Sequence, residues 1–171
     1  MLVPIAKILN THGLKGEVKV SPLTSHSEII LNIKNFYLSK NKENPLKVES
    51  IKKGPGTNIF LIKFKDIDFE IAQDLKNHIL FIDLHELPPS KEDEFYYYEI
   101  IDFQIKDKNN KYWGKIKEIM SVGEYELLLV KSDKHEEFYI PLVEEYVEEI
   151  DFQSKTILVK EIKELVESQK P

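Results

Sequence analysis

Five histidines, His12, His26, His78, His85 and His135, and thirty Asp and Glu residues are the side chains with which this 171-residue chain could bind a metal or move a proton. The histidines are scattered, and no pair stands at the i, i+4 spacing that puts two imidazoles on one helix face, so metal catalysis has no ligand set to work with. Cysteine is absent, which removes thiolate metal sites, iron–sulfur clusters, disulfides and cysteine nucleophiles, and points to a reducing compartment. No GxGxxG, P-loop or GxSxG occurs, so dinucleotide, nucleotide and hydrolase chemistries lack a phosphate cradle or a nucleophile elbow. Glu144, Glu145, Glu148, Glu149 and Asp151 crowd together, but a run of charges is ordinarily a solvated face and no pair reads as an acid–base couple. The sequence predicts no catalytic residues, no metal and no cofactor; its chemistry is that of binding.

Charge says what could be bound. All 24 basic residues are lysine, so any contact to phosphate or guanine relies on lysine, backbone N–H and aromatic stacking rather than on guanidinium forks. The net charge of −6 is unevenly spread: residues 1–90 carry +2 and residues 91–171 carry −8. An acidic half repels nucleic acid and attracts a basic protein, while a near-neutral half can touch RNA without a large electrostatic penalty.

The elements that must position these groups are short. Apolar residues come in runs of four to eight, rich in Ile, Val, Phe and Tyr, predicting strands near 3–9, 17–22, 35–39, 46–51, 59–64 and 79–83 in the first half. In the second half strands are predicted near 100–106, 113–120, 127–131, 137–140, 147–150 and 157–160, with Asn109-Asn110 as a hairpin turn. Two helices break the pattern. One spans 68–75, capped by Asp68, with Ile71, Ala72 and Leu75 on its inner face; the other spans 161–168, with Ile162, Leu165 and Val166 at i, i+3 and i+4. Pro88-Pro89 followed by a polar, charged run marks a semi-rigid linker over 86–94, between domains at 1–85 and 95–171. The expected fold is all-β: two small β-barrels with short helices. The first twenty residues, broken by Lys7, Asn10, Lys15, Glu17 and Lys19, form neither a signal-peptide core nor a membrane span, so a cytoplasmic protein is expected.

Three features stand above this background. Asn10-Thr11-His12-Gly13-Leu14-Lys15-Gly16-Glu17 is a glycine turn between strands, with Gly13 and Gly16 free to take positive φ or to allow close backbone approach. Phe95-Tyr96-Tyr97-Tyr98 follows the linker directly; neighbours in a strand point to opposite faces, so at least two rings are expected at a domain boundary or on the surface. Phe138-Tyr139-Ile140-Pro141-Leu142-Val143 then runs into Glu144-Glu145-Tyr146-Val147-Glu148-Glu149-Ile150-Asp151, an acidic segment that supplies much of the second half's negative field.

In this order and spacing these features, together with Asp68-Phe69-Glu70-Ile71-Ala72-Gln73-Asp74-Leu75 and Trp113-Gly114-Lys115-Ile116, resemble the ribosome maturation factor RimM family. The resemblance covers nearly the whole chain. It implies an N-terminal six-stranded barrel like those of translation factors, a C-terminal PRC-type barrel, and a non-enzymatic role in maturation of the small ribosomal subunit and processing of its rRNA. It also implies a basic partner, ribosomal protein nineteen of the subunit head. Phe95, Tyr96, Tyr97, Tyr98, Glu99, Glu144 and Glu145 are the expected partner-binding residues, and Thr11, His12, Gly13, Lys15 and Gly16 the expected loop facing the immature subunit and its rRNA. The family's paired tyrosines fall on Phe95 and Tyr96, its Asp-Leu-Ile-Gly on Glu99-Ile100-Ile101-Asp102, its frequent arginine on Lys15, and its glycine after the short helix on Asn77. No membrane partner is expected, and the chain is expected to be a monomer. The alternatives are a PRC-barrel adaptor of a non-ribosomal complex and a flavin-binding barrel.

Overall fold

A computed structural model describes residues 1–87 and 94–171, so the predicted linker lies largely outside the described residues. The chain divides into two compact units, Met1–Tyr98 and Glu99–Pro171. The first unit therefore takes in the aromatic run that the sequence placed at the head of the second domain.

In the first unit six strands form one antiparallel sheet: β1 (Leu2–His12), β2 (Glu17–Pro22), β3 (Asn35–Phe36), β4 (Leu46–Lys53), β5 (Phe60–Phe64) and β6 (Ile79–Asp83), in the order β3-β4-β5-β2-β1-β6. Alternation drives the folding of β2, where Val18, Val20 and Pro22 turn inward while Glu17, Lys19 and Ser21 lie partly open. Just past β3, Tyr37 and Phe81 of β6 exchange backbone hydrogen bonds of 2.9 and 2.7 Å, which joins the two ends of the sheet. Inside, Phe36 and Phe64 meet edge to face, 6.0 Å between centroids. Each such fully buried side chain contributes about 1.5–3 kcal/mol.

The predicted helix forms as α1 (Phe69–Asp74) and packs on β1 and β2. Asp68 caps it, its Oδ1 accepting the Ile71 N–H at 2.9 Å. Ala72 and Leu75 are buried as expected, but Ile71 is 43% exposed. A helix of six residues offers the sheet one narrow stripe, and Ile71 falls beside it.

The second unit holds β7 (Gln104–Asp107), β8 (Tyr112–Val122), β9 (Tyr125–Lys131), β10 (Glu137–Pro141), β11 (Val147–Asp151) and β12 (Thr156–Val159), in the order β10-β9-β8-β7-β12-β11. All neighbours are antiparallel except β7 and β12, which run parallel. Residues Tyr97–Ile100 make a single helical turn, α2, where a strand onset was predicted. The turn arises because Asp102 takes positive φ (+69°) and Phe103 N–H returns to Ile100 O, so extended backbone starts only at Gln104. Ile105, Ile116, Leu128 and Ile140 are fully buried, and α3 (Lys163–Ser168) packs on β10, with Ile162 and Val166 buried. Among the described residues no helix is long and apolar enough to cross a membrane, and no cluster of three or more His, Asp or Glu could hold a metal.

Candidate functional site

The register of β1 on β2 pairs His12 with Glu17, so residues 13–16 form a hairpin tip. Its two glycines do different work. Gly13, at φ +70°, has open space around its Cα and supplies only the turn conformation. Gly16, at φ +93°, is buried, and a Cβ there would stand 2.3 Å from the Ile67 carbonyl oxygen, so the tip is pressed onto the backbone that leads into Asp68 and α1. This anchoring leaves Leu14 80% exposed and Lys15 exposed, while Thr11 and His12 are half-buried. Thr11, His12, Gly13 and Lys15 thus share an accessible hairpin end, and Gly16 serves it from below.

Residues 94–97 lie beside residues 23–25 as an extra backbone pairing. Phe95 O accepts the Ser25 N–H at 2.9 Å and the Thr24 hydroxyl at 3.1 Å; Phe95 N–H donates to Ser25 Oγ at 2.8 Å, and Tyr97 N–H to Leu23 O at 2.8 Å. His26 Nδ1 and Glu94 Oε1, 2.8 Å apart, fasten the start of the segment. Rings two residues apart sit together where the extended segment enters α2: Phe95 beside Tyr97 at 6.0 Å, and Tyr96 stacked on Tyr98 at 6.1 Å. Tyr96 enters the core of the first unit, with Tyr98 packed against that core. Phe95 and Tyr97 lie outside that core yet are buried as well, and Tyr98 is half-buried. None of the four rings is exposed, so of the two expected placements, domain boundary or surface, the open-surface one is not realised. The cause is a main-chain pairing across some seventy residues of sequence.

In the second unit Glu144 and Glu145 project from the turn between β10 and β11, where Val143 O accepts the N–H groups of Tyr146 (3.0 Å) and Val147 (2.9 Å). Strict alternation on β11 would turn one of Glu148 and Glu149 inward. A register shift between Val147 and Glu149 leaves both exposed. Lys108 Nζ reaches Glu148 at 3.2 Å, and Asp151 is held below the usual carboxylate range by the Ser154 hydroxyl and by backbone N–H groups. Residues 99–171 hold 17 acids and 11 lysines, a net −6, and residues 1–98 hold 13 of each.

One feature of this unit was missed in the sequence. Two adjoining cavities of about 400 and 360 Å³ share Tyr112, Ser132 and Asp133, and together are lined by seven lysines and four acids. Tyr112 lines both, and Trp113 and Phe138 line the second. Asp107 holds two of the lining residues in place: its Oδ1 accepts the N–H groups of Asn109 (2.9 Å) and Lys111 (3.0 Å), and its Oδ2 the Trp113 indole N–H (3.1 Å). Burial opposes the charge on Asp107, but these three donors outweigh it and keep the carboxyl below its ordinary range. Lys111 Nζ then lies 3.9 Å from the centre of the Trp113 ring.

Residues 3–87 match the family profile described as the RimM N-terminal domain, and residues 97–165 match that described as the RimM PRC barrel domain. The chain belongs to the RimM family. A protein named ribosome maturation factor RimM from Thermotoga maritima is 39% identical over 164 residues, covering 94% of this chain and 92% of its own. One of the same name from Clostridioides difficile is 32% identical over 165 residues, covering 95% of each. A crystal structure described as a 16S ribosomal RNA processing protein RimM from Pseudomonas aeruginosa aligns over 94% of this chain and 98% of its own, at 23% identity and a TM-score of 0.45.

Two residues that stand where the resemblance implied glycine take the left-handed backbone that glycine favours. Asn77 holds φ +69° while its N–H donates to Ile8 O at 2.8 Å, and Asp102 also holds φ +69°. Asn and Asp are the non-glycine residues best able to take this left-handed conformation. Phe95, where the resemblance implied a tyrosine, is fastened through its backbone, so its pairing with Ser25 needs no ring hydroxyl.

Proposed function

We propose that this protein is a non-catalytic assembly factor of the small ribosomal subunit that works in the cytoplasm by binding a basic protein of the subunit head, ribosomal protein nineteen, and aids rRNA processing on the immature particle. The observation that carries the reading is the exposure of Glu144, Glu145, Glu148 and Glu149 together, on one turn and one end strand, with a single lysine among the described residues paired to them. Exposed carboxylates gathered on one short segment add their fields on an approaching cation, out to a screening length of about 8–10 Å. Such a field speeds encounter with a basic partner and rejects acidic ones. The names of the relatives support the ribosomal assignment.

On this reading the aromatic segment is a rigid base: buried Phe95, Tyr96 and Tyr97 fix the place of half-buried Tyr98 within the first unit, and Tyr98 and Glu99 are further residues of the protein contact. The hairpin end formed by Thr11, His12, Gly13 and Lys15, held up by Gly16, faces the immature subunit, where exposed Leu14 and Lys15 suit a mixed apolar and phosphate surface. The test is capture of individually purified small-subunit proteins on the immobilised chain at low and high salt. Retention of the basic head protein, falling with salt and weakened by joint substitution of the four glutamates with glutamine, is expected. Equal, salt-insensitive retention of every small-subunit protein would overturn it.

A further inference from the structure

The charge of the second unit is segregated. The two joined cavities bounded by β8, β9 and α3 are lined by seven of its eleven lysines and only four of its acids, a net +3, which leaves −9 on the remainder of a unit whose total is −6. Within the cavities Lys115 and Lys131 stand directly opposite each other across β8 and β9, on the face away from buried Ile116 and Val130. Like charges at directly opposed positions destabilise a sheet. Lys117 is neutralised by Glu137 at 2.8 Å and Lys170 by Glu167 at 3.6 Å. For Lys111, Lys115, Lys131, Lys134 and Lys163, no carboxylate lies within 4.0 Å among the described residues. An acidic unit thus concentrates ammonium groups around half-buried Tyr112 and Trp113, with Lys131 standing between Lys115 on β8 and Glu137 on β10, and that one carboxylate is shared with Lys117. Local conflict of this kind marks places where a ligand supplies the missing partner.

We propose that this cleft binds a single strand of RNA, its phosphates on the lysines and a base against Tyr112 or Trp113. A spaced row of ammonium groups with aromatic surface between them suits a strand of phosphodiesters, because charge tracks the backbone and any base offers a π-face. A basic protein is disfavoured by the +3 lining, and an isolated phosphate would use only part of a lining that extends over both cavities. The inference rests on the assembly reading for its source of RNA and adds to it a division of labour: one unit presents an acidic face to protein and a basic cleft to nucleic acid.

Trp113 is the only tryptophan in the chain, so its fluorescence reports on the cleft directly. The full chain is titrated with a single-stranded RNA of about 12 nucleotides, a length within known site sizes, across a range of salt, with inorganic phosphate and duplex RNA as separate arms. Quenching by the single strand, weakening steeply with salt, is expected. Lys115→Gln with Lys131→Gln should weaken binding roughly tenfold and flatten the log K against log salt slope by about 1.4, at about 0.7 for each phosphate no longer neutralised. Lys134→Gln with Lys163→Gln should act alike, and Lys106→Gln with Lys155→Gln, outside the cleft, should leave both readings unchanged. Lys115→Gln alone should raise the thermal midpoint while lowering RNA affinity, since it relieves the repulsion with Lys131. Absence of RNA binding, equal losses in the control pair, or full quenching by inorganic phosphate alone would overturn the proposal. The two readings fail separately: head-protein capture by the acidic face is expected to survive in the cleft variants, so intact capture without RNA binding sinks only the cleft, and lost capture with RNA binding intact sinks only the protein contact.

Discussion

Substitution of Gly16 by alanine separates two explanations for a glycine that the structure distinguishes. Gly13 and Gly16 both have positive φ, +70° and +93°, and an L side chain in the left-handed region costs about 1–2 kcal/mol at either. They differ in what the new methyl meets: nothing within 4 Å at Gly13, but the Ile67 carbonyl oxygen at 2.3 Å and Asp68 backbone atoms at 3.0 and 3.2 Å at Gly16. Backbone cannot rotate aside as a side chain does, so the hairpin or residues 67–68 must shift by about 1 Å to bring the 2.3 Å approach toward ordinary van der Waals contact. Overpacking of this kind costs about 1–3 kcal/mol. Moving Asp68 also threatens its cap on α1, worth about 1 kcal/mol. Gly16→Ala should therefore cost about 3–4 kcal/mol and Gly13→Ala about 1–2. Urea unfolding followed by circular dichroism measures both, and with a slope near 2 kcal/mol per molar the midpoints should differ by roughly 1 M. Equal midpoints would refute the reasoning, since they would mean that the tip does not depend on its close approach to residues 67–68.

Asp83 is buried; the Lys42 ammonium first, then the His85 N–H, hold its pKa at about 2 against an ordinary 3.8. A carboxyl lowered on folding stabilises fully above its unfolded value and loses that contribution as the pH falls from about 4 toward 2. Wild-type stability should thus fall more steeply than that of Asp83→Asn across this window in acid–urea titrations, and parallel curves would contradict the pairing. Gln169 closes the outer edge of β10 by accepting the Tyr139 N–H at 2.7 Å and donating to Tyr139 O at 2.8 Å. Gln169→Ala should speed amide exchange at Tyr139 about tenfold, the equivalent of one hydrogen bond of about 1.4 kcal/mol, and unchanged exchange would show that the edge is protected otherwise. Asp107→Ala strips acceptors from the Trp113 indole and two backbone N–H groups, so a loss of about 2–3 kcal/mol with a shift in Trp113 emission is expected; stability without an emission shift would place the ring elsewhere.

Local physics was readable in the residues, and long-range pairing was not. Alternation of Val18 and Val20 with Glu17 and Lys19 announced β2, and Asp68 announced the start of α1, because strand period and capping depend on near neighbours. Ile71 was misassigned because nothing local says how wide a helical stripe the sheet will cover. The burial of the aromatic run was not legible because its backbone partners, Leu23, Thr24 and Ser25, lie some seventy residues away. Lys115 and Lys131 become neighbours only through the register of β8 on β9, and Lys163 and Lys170 join them only once α3 has packed on β10, so the cleft has no signature in any window of sequence. The acidic segment was visible as composition; the register shift that exposes Glu148 and Glu149 together was not.

Sedimentation of the protein with purified ribosomal particles puts the assembly role to its most direct test. The protein should travel with immature small subunits, be released as salt is raised, and leave mature subunits bare, with the four-glutamate variant absent from both. Equal loading on immature and mature particles, or none on either, would contradict it.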